Sequence, residues 1–106
     1  MPKEISEKDW QLFRKKVAIW QDAYIDKLNQ EYIEILNSSN SPADKFWELE
    51  KRINADKLKT GVVCDMRRSK MVENIISFIT DGVIGIDDLS EFDDDLKVAI
   101  QLILAF

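Results

Sequence analysis

Apolar side chains recur every three or four residues across the first third of this chain, and this period constrains the fold more than any other feature. The series runs through Trp10, Phe13, Val17, Trp20, Tyr24, Leu28, Tyr32 and Ile35. Side chains three and four residues apart share one face of an α-helix. The spacing therefore predicts one long amphipathic helix, which begins after Ser6 and ends within Asn37–Asn40.

A second helix is indicated by Ser41, which is followed by Pro42 at the first helical position and by Asp44 three residues after the cap. Serine is a favoured N-cap, and proline fits the first turn because its missing N–H has no partner there. We expect this helix to end before Gly61. Its predicted buried side consists of Phe46, Trp47, Leu49 and Ile53.

The rest of the chain predicts further helices, which follow a short β-branched connector at Val62–Cys64 for which an extended conformation is left open. Asp65 is placed to cap a third helix that stops at Gly82, and Asp93 to cap a last helix, with a short turn between them at Asp87 and Asp88. Glycine and proline are scarce, at 3 and 2 residues, which argues against an all-β fold with its many turns. We predict a single all-α domain over residues 1–106, a small bundle of four to five helices with one long N-terminal amphipathic helix.

The length of the first helix leads to a prediction about assembly. About 30 helical residues span about 45 Å, whereas a compact domain of this size is about 30 Å across. The helix must therefore kink or project, and we expect a projecting stripe to be covered by a second copy of the chain. The candidate interface residues are Trp10, Phe13, Val17, Trp20, Tyr24 and Leu28.

The composition argues against most catalytic and metal chemistry. The chain has no histidine and one cysteine, which removes imidazole catalysis and structural zinc sites. Asp81-Gly82, followed by Asp88, resembles the second half of an EF-hand loop, but Ile79 would occupy a ligand position. We interpret this segment as a helix stop followed by a helix start. We also interpret the acidic residues after it as helix N-terminal residues, and we expect no enzyme, cofactor or metal.

The charges are divided among three regions. Residues 1–50 carry a net charge of −3, residues 51–70 one of +5 and residues 71–106 one of −7. The basic and acidic regions are complementary and can neutralise each other within a chain or across a dimer. The overall charge of −5 disfavours nucleic-acid binding. Candidates for binding an anion or an acidic partner are Arg52, Arg67, Arg68 and Lys70, unless they pair with the chain's own acids.

Two features point to the cytoplasm. A single cysteine suits a reducing compartment, and no basic-then-apolar leader is visible at the start. The longest nearly apolar run, residues 98–106, is too short to span a bilayer. Cys64 follows two valines and is interpreted as a small buried residue, although Arg67 and Arg68 leave thiol reactivity open.

Five segments of the chain resemble a small bacterial family of all-helical proteins. They are Ser6–Lys16, Asp44–Ile53, Asp65–Met71, and Asp81–Ile84 together with Asp88–Phe92. The resemblance covers nearly the whole chain and implies a bacterial, cytosolic origin. That family has no established activity, so the resemblance implies no mechanism.

The pattern as a whole predicts a non-enzymatic protein-interaction module, a homodimeric helical regulator or adaptor without nucleic-acid or membrane partners. The alternative is a helical domain that senses a small ligand or anion through the basic residues around Arg67–Lys70.

Overall fold

A computed structural model of the protein describes residues 5–106, and all regular structure in that range is helical. The four α-helices are α1 (Glu7–Leu36), α2 (Pro42–Asp56), α3 (Met71–Thr80) and α4 (Asp94–Leu104). Short 3₁₀ turns at Arg68–Lys70 and Ile86–Leu89 precede α3 and α4. The prediction of a small all-α fold with one long N-terminal helix is confirmed.

The first helix forms as one 30-residue element. Ser6 caps it by accepting a hydrogen bond from the Asp9 N–H at 3.1 Å, as its sequence predicts. The long helix makes the molecule elongated, with extents of 53 × 27 × 21 Å. The radius of gyration is 16.7 Å, which exceeds the value of about 13 Å expected of a compact chain of this length.

The N-terminal half of α1 lies in the main core. Phe13, Val17 and Trp20 pack there against side chains from α3, α4 and the segment between them. Aromatic rings contact one another through this core, and the Trp20 and Phe78 rings meet edge to face with centroids 5.6 Å apart. Such contacts add to the free energy gained by burying the apolar surface.

The C-terminal half of α1 lies beside α2, which returns along it after the turn at Asn37–Ser41. Tyr24 and Leu28 are buried in this half of α1. The interface prediction for α1 is therefore wrong for five of its six residues, since Phe13, Val17, Trp20, Tyr24 and Leu28 are covered by their own chain. The sixth, Trp10, is half-buried against the core. The buried residues of the α1 stripe are thus covered by α2 and by the core of the same chain.

The second helix begins as predicted, but the side of it that was expected to be buried is exposed. The Ser41 hydroxyl accepts a hydrogen bond from the Asp44 N–H at 3.2 Å. The expected buried residues are not buried: Phe46 is 62% exposed, Trp47 60% and Ile53 41%. Leu49, the fourth of the predicted set, is half-buried. The polar side of α2, with Arg52 and Asp56, lies against α1 instead.

The third helix begins later than predicted, at Met71 rather than directly after Asp65. The Asp65 carboxylate accepts a hydrogen bond from the Arg67 N–H, two residues on, so it closes a local turn instead of capping a helix. The predicted stop is confirmed. Gly82 adopts a φ of +76°, and the Val83 N–H bonds to the Phe78 carbonyl at 2.8 Å, which ends α3 in a left-handed turn.

The N-termini of α1 and α4 hold each other. The buried Asp9 carboxylate accepts a hydrogen bond from the Asp93 N–H at 3.2 Å, and the Ser6 hydroxyl donates one to the Asp93 carboxylate at 3.0 Å. Burial raises the pKa of Asp9. The bond from Ser6, with Lys8 beside it, lowers the pKa of Asp93. Asp93 is thus the N-cap residue of α4 by position, as predicted, while its side chain ties α4 to α1.

Candidate interaction surface

The four basic candidate residues are bound to carboxylates of the same chain. Arg68 donates to Glu7 and to the Ile5 carbonyl, both at 2.7 Å. Arg67 pairs with Asp65, and Lys70 with Glu73 at 3.5 Å. The Arg67 hydrogen bond lowers the pKa of Asp65.

Arg52, the fourth candidate, lies apart from the other three. It binds Glu31 of α1 at 2.6 Å, between the two helices. The structure therefore brings together Arg67, Arg68 and Lys70 around the 3₁₀ turn at Arg68–Lys70, and each of the three is paired with a carboxylate. Arg52 does not belong to this group.

The complementary regions of charge are connected through α1. Its Lys8 and Lys16 pair with Asp93 and Glu91 of the acidic C-terminal region, and the Lys16–Glu91 distance is 2.6 Å. Its acids Glu7 and Glu31 pair with arginines of the basic middle region. The charges of both regions are thus partly neutralised inside one chain.

Acidic residues after α3 bind groups at the N-terminal ends of the 3₁₀ turn Ile86–Leu89 and of α4. The Asp88 carboxylate accepts a hydrogen bond from the Gly85 N–H at 2.8 Å, and Asp94 pairs with Lys97 one turn on. Within residues 5–106, no group of three or more acidic or cysteine side chains is arranged to hold a metal ion.

Cys64 is half-buried against the core. Burial raises the pKa of its thiol, and the negative charge of Asp65 acts in the same direction. Arg67, which could have lowered that pKa, is bound to Asp65. A thiol with a raised pKa is a poor nucleophile at neutral pH.

A polar cluster holds α2 against α1. The Tyr32 hydroxyl donates a hydrogen bond of 2.6 Å to the buried Asp56 carboxylate. Arg52 lies 3.7 Å from Asp56 and 2.6 Å from Glu31, and its guanidinium lies over the Tyr32 ring at 5.8 Å. Burial and the bond to Asp56 raise the pKa of Tyr32 to about 12.

This cluster predicts a pH dependence. A tyrosine whose pKa is about 12 when folded and about 10 when unfolded favours the native state below pH 10. That stability should be lost as the pH rises from about 10 to about 12. An Asp56→Asn variant removes the negative charge of Asp56 and leaves a weaker, uncharged acceptor for the hydroxyl, so the pKa of Tyr32 should fall toward 10.

Ultraviolet titration of the phenolate measures this effect. The chain has 2 tyrosines, so a Tyr24→Phe background isolates Tyr32, and Tyr24→Phe without the second change is the control. An unchanged Tyr32 pKa in Asp56→Asn would show that the Asp56 carboxylate does not raise the pKa of Tyr32.

Because the polar side of α2 faces α1, an apolar groove remains open beside the two helices. Its central part has a volume of about 290 Å³ and is lined by Ile25, Leu28, Asn29, Tyr32, Ile53, Lys57 and Val62. It continues along α2 as a hollow of about 230 Å³ lined by Phe46, Leu49, Glu50, Ile53 and Asn54. We call these two parts together the hairpin groove.

Two features mark the borders of the hairpin groove. The Phe46 and Trp47 rings meet edge to face at 4.9 Å near its outer end. On the α1 side, a shallow concavity that includes Asp22 and Asp26 shares Ile25 and Asn29 with the groove. The groove is thus bordered by acids on α1 and by Lys57 on α2.

The exposed apolar surface lies on α2 and not, as predicted, on α1. The signal that could have corrected that prediction is the pair Arg52 and Asp56, four residues apart and therefore on one face of α2. Glu31 and Tyr32 of α1 offer that face suitable partners. A helix that places a charged pair against its neighbour presents its apolar residues elsewhere.

A second set of exposed apolar side chains lies at the end of α4. It comprises Val98, Leu102, Ile103, Leu104 and Phe106. No helix within residues 5–106 is both long and apolar enough to cross a lipid bilayer.

Comparison with protein-family models, with curated proteins and with solved structures gives no match for this chain.

Proposed function

We propose that this protein is a non-enzymatic protein-interaction module that acts as a homodimer, as a regulator or adaptor in a bacterial cytoplasm. The observation that carries the proposal is the hairpin groove. Phe46 and Ile53 line it, Trp47 lies beside Phe46, and all three are exposed although they belong to an ordered helix.

Exposed aromatic and aliphatic side chains of this kind favour association. Burial of apolar surface is worth about 25 cal/mol per Å², and contiguous apolar surface on a protein commonly marks an interaction site. A hydrophobic groove is also a recurring receptor for the apolar face of a further helix. The core does not need Phe46 and Trp47, so their surface is available for a partner.

The other functional classes have less support. Tyr32 and Cys64, two of the few groups that could act in proton transfer or as nucleophiles, have pKa values raised away from neutrality. An anion sensor at Arg67–Lys70 would have to displace Asp65, Glu7 and Glu73 from the three cations.

The test is a pair of matched surface variants. The wild-type chain should be a dimer at micromolar concentration in light scattering, and Phe46→Ser/Ile53→Ser should be a monomer with unchanged helical circular dichroism. Leu102→Ser/Phe106→Ser, which changes the exposed end of α4, should remain a dimer. A monomeric wild type would overturn the proposal. A dimeric Phe46→Ser/Ile53→Ser variant would move the interface away from the groove.

A further inference from the structure

We infer that the hairpin groove is occupied by a second copy of the chain in one particular arrangement, in which α1 of each copy lies against α2 of its partner. This inference rests on the proposed function and names the partner, the symmetry and the contacts of that same surface. It follows from the shape of the groove, from the charges at its borders, and from the position of those charges along the helix axis, which we call their height.

The shape of the groove suits its own copy. Two antiparallel helices with one apolar side complete a four-helix bundle when two such pairs meet face to face. A two-fold axis makes that contact self-complementary. An axis perpendicular to the helices would bring α1 against the partner's α1, whereas an axis parallel to the helices brings α1 against the partner's α2.

The charges distinguish these two arrangements. The border of the groove on α1 carries Asp22 and Asp26, and the border on α2 carries Lys57. None of these three side chains forms an ion pair with another residue of the part described, residues 5–106. With the axis at the level of Asp22 and Asp26, contact of α1 with the partner's α1 would place acids against acids, which is unfavourable. Contact of α1 with the partner's α2 places Asp26 toward the partner's Lys57.

The heights of the two residues agree with this contact. A two-fold axis parallel to the helices leaves the height of every residue unchanged, so levels can be read within one chain. Ile53 and Tyr32 line the same part of the groove, and one turn further in the same direction lie Lys57 on α2 and Leu28 on α1. Asp26 is two residues beyond Leu28, about 3 Å along the helix axis. A lysine side chain spans that offset.

The one acid on the α2 border does not oppose this pairing. Glu50 lies two turns from Lys57, at the outer end of the groove beside Phe46 and Leu49. It is therefore distant from the level at which Asp26 meets the partner's Lys57.

Charge reversal with mixing tests the arrangement. Asp26→Lys alone and Lys57→Glu alone each create two like-charge contacts per dimer, and each should weaken dimerisation about tenfold or more at low salt. An equimolar mixture of the two variants restores both opposite-charge contacts. It should therefore form a one-to-one heterodimer, which native mass spectrometry resolves by mass. The double variant Asp26→Lys/Lys57→Glu should also regain wild-type affinity.

The controls are Asp81→Lys and Lys15→Glu, which change the net charge equally at exposed positions outside the groove. Their dimerisation constants should stay near wild type. A wild-type dimer whose affinity responds to Asp26→Lys and Lys57→Glu no more than to these controls would overturn the arrangement and leave the proposed function standing. Tighter dimerisation of Asp26→Lys would indicate contact between the two α1 helices and would also overturn it. A monomeric wild type would overturn both proposals.

Discussion

Phe13→Ala should destabilise the native state by about 3–5 kcal/mol, the cost typical of removing a large aromatic side chain from a core. Phe13 has no exposed surface. Its ring lies 6.2 Å from that of Trp20 and 6.4 Å from that of Phe78, so its loss leaves a cavity between α1 and α3. In a domain of this size each kcal/mol lowers Tm by about 4–8 °C. Urea unfolding followed by circular dichroism measures the change.

Phe46→Ala is the matched control, because it removes the same atoms from a side chain that is 62% exposed. Its effect on the stability of the monomer should be within about 0.5 kcal/mol. Both variants must be measured at a concentration at which the wild type is monomeric, since dimerisation would add to its apparent stability. Equal losses in the two variants would contradict the division of the chain into a main core and an open hairpin groove.

Helical periodicity determines one part of this fold and leaves another part open. The spacing in α1 and α2 predicted which side chains share a face, and both helices form with the predicted N-caps. Periodicity does not say what covers a face. For α1 it is the chain's own α2, α3 and α4, whereas the apolar residues of α2 remain open because Arg52 and Asp56 take the side toward α1.

The start of α3 was missed for a different physical reason. An aspartate before a helical pattern predicts an N-cap, and Asp65 offers one locally. In the folded chain Asp65 binds the side chain and the N–H of Arg67, while the Asn74 amide donates to the Asp65 carbonyl at 2.7 Å. These contacts hold the chain non-helical up to Arg68. Asn74 lies nine residues away, so this contact is not visible in local propensity.

The sequence indicated that the protein has an exposed apolar surface, but it did not indicate where that surface lies. Regional charge left open whether the basic residues would pair with acids of their own chain or of a dimer partner. Arg52, Arg67, Arg68 and Lys70 all pair within the chain, but only Lys70 has its partner, Glu73, in the acidic C-terminal region. The hairpin groove depends on the rotation of α2 about its own axis. That rotation is decided by a few polar contacts to α1, which no single stretch of sequence contains.

Gly61→Ala should destabilise the protein by about 1–3 kcal/mol, the range for forcing extra atoms into a packed site. The loop after α2 crosses α1 closely at this position, where the Gln21 amide donates to the Thr60 carbonyl at 3.1 Å. A β-carbon on Gly61 would clash with Cδ2 of Tyr24, and it would lie 2.8 Å from Cε2 of that ring and 2.9 Å from the Val83 side chain. Tyr24 is buried and cannot move aside freely.

Gly85→Ala is the control, because a β-carbon there meets no atom within 4 Å and the backbone φ is −108°. It should be neutral or slightly stabilising, since alanine restricts the unfolded chain. If both glycine variants melt alike, the close crossing over Tyr24 is not a constraint on the fold.

Gly61→Ala has a second consequence. Tyr24 and the crossing loop lie where α2 ends and the chain returns to the core. Displacement of the loop at Gly61 should increase the mobility of the C-terminal end of α2. It should also affect Lys57 and Val62, two residues that line the hairpin groove. We therefore expect amide exchange in Gly61→Ala to accelerate in α2 more than in α3, and dimerisation to weaken along with it. Shortening Val83 in a Gly61→Ala/Val83→Ala variant removes one of the two clashing side chains and should recover part of the lost protection. Equal acceleration of amide exchange in α2 and α3 would instead mean that the contact between the Gly61 loop and Tyr24 stabilises the whole fold equally.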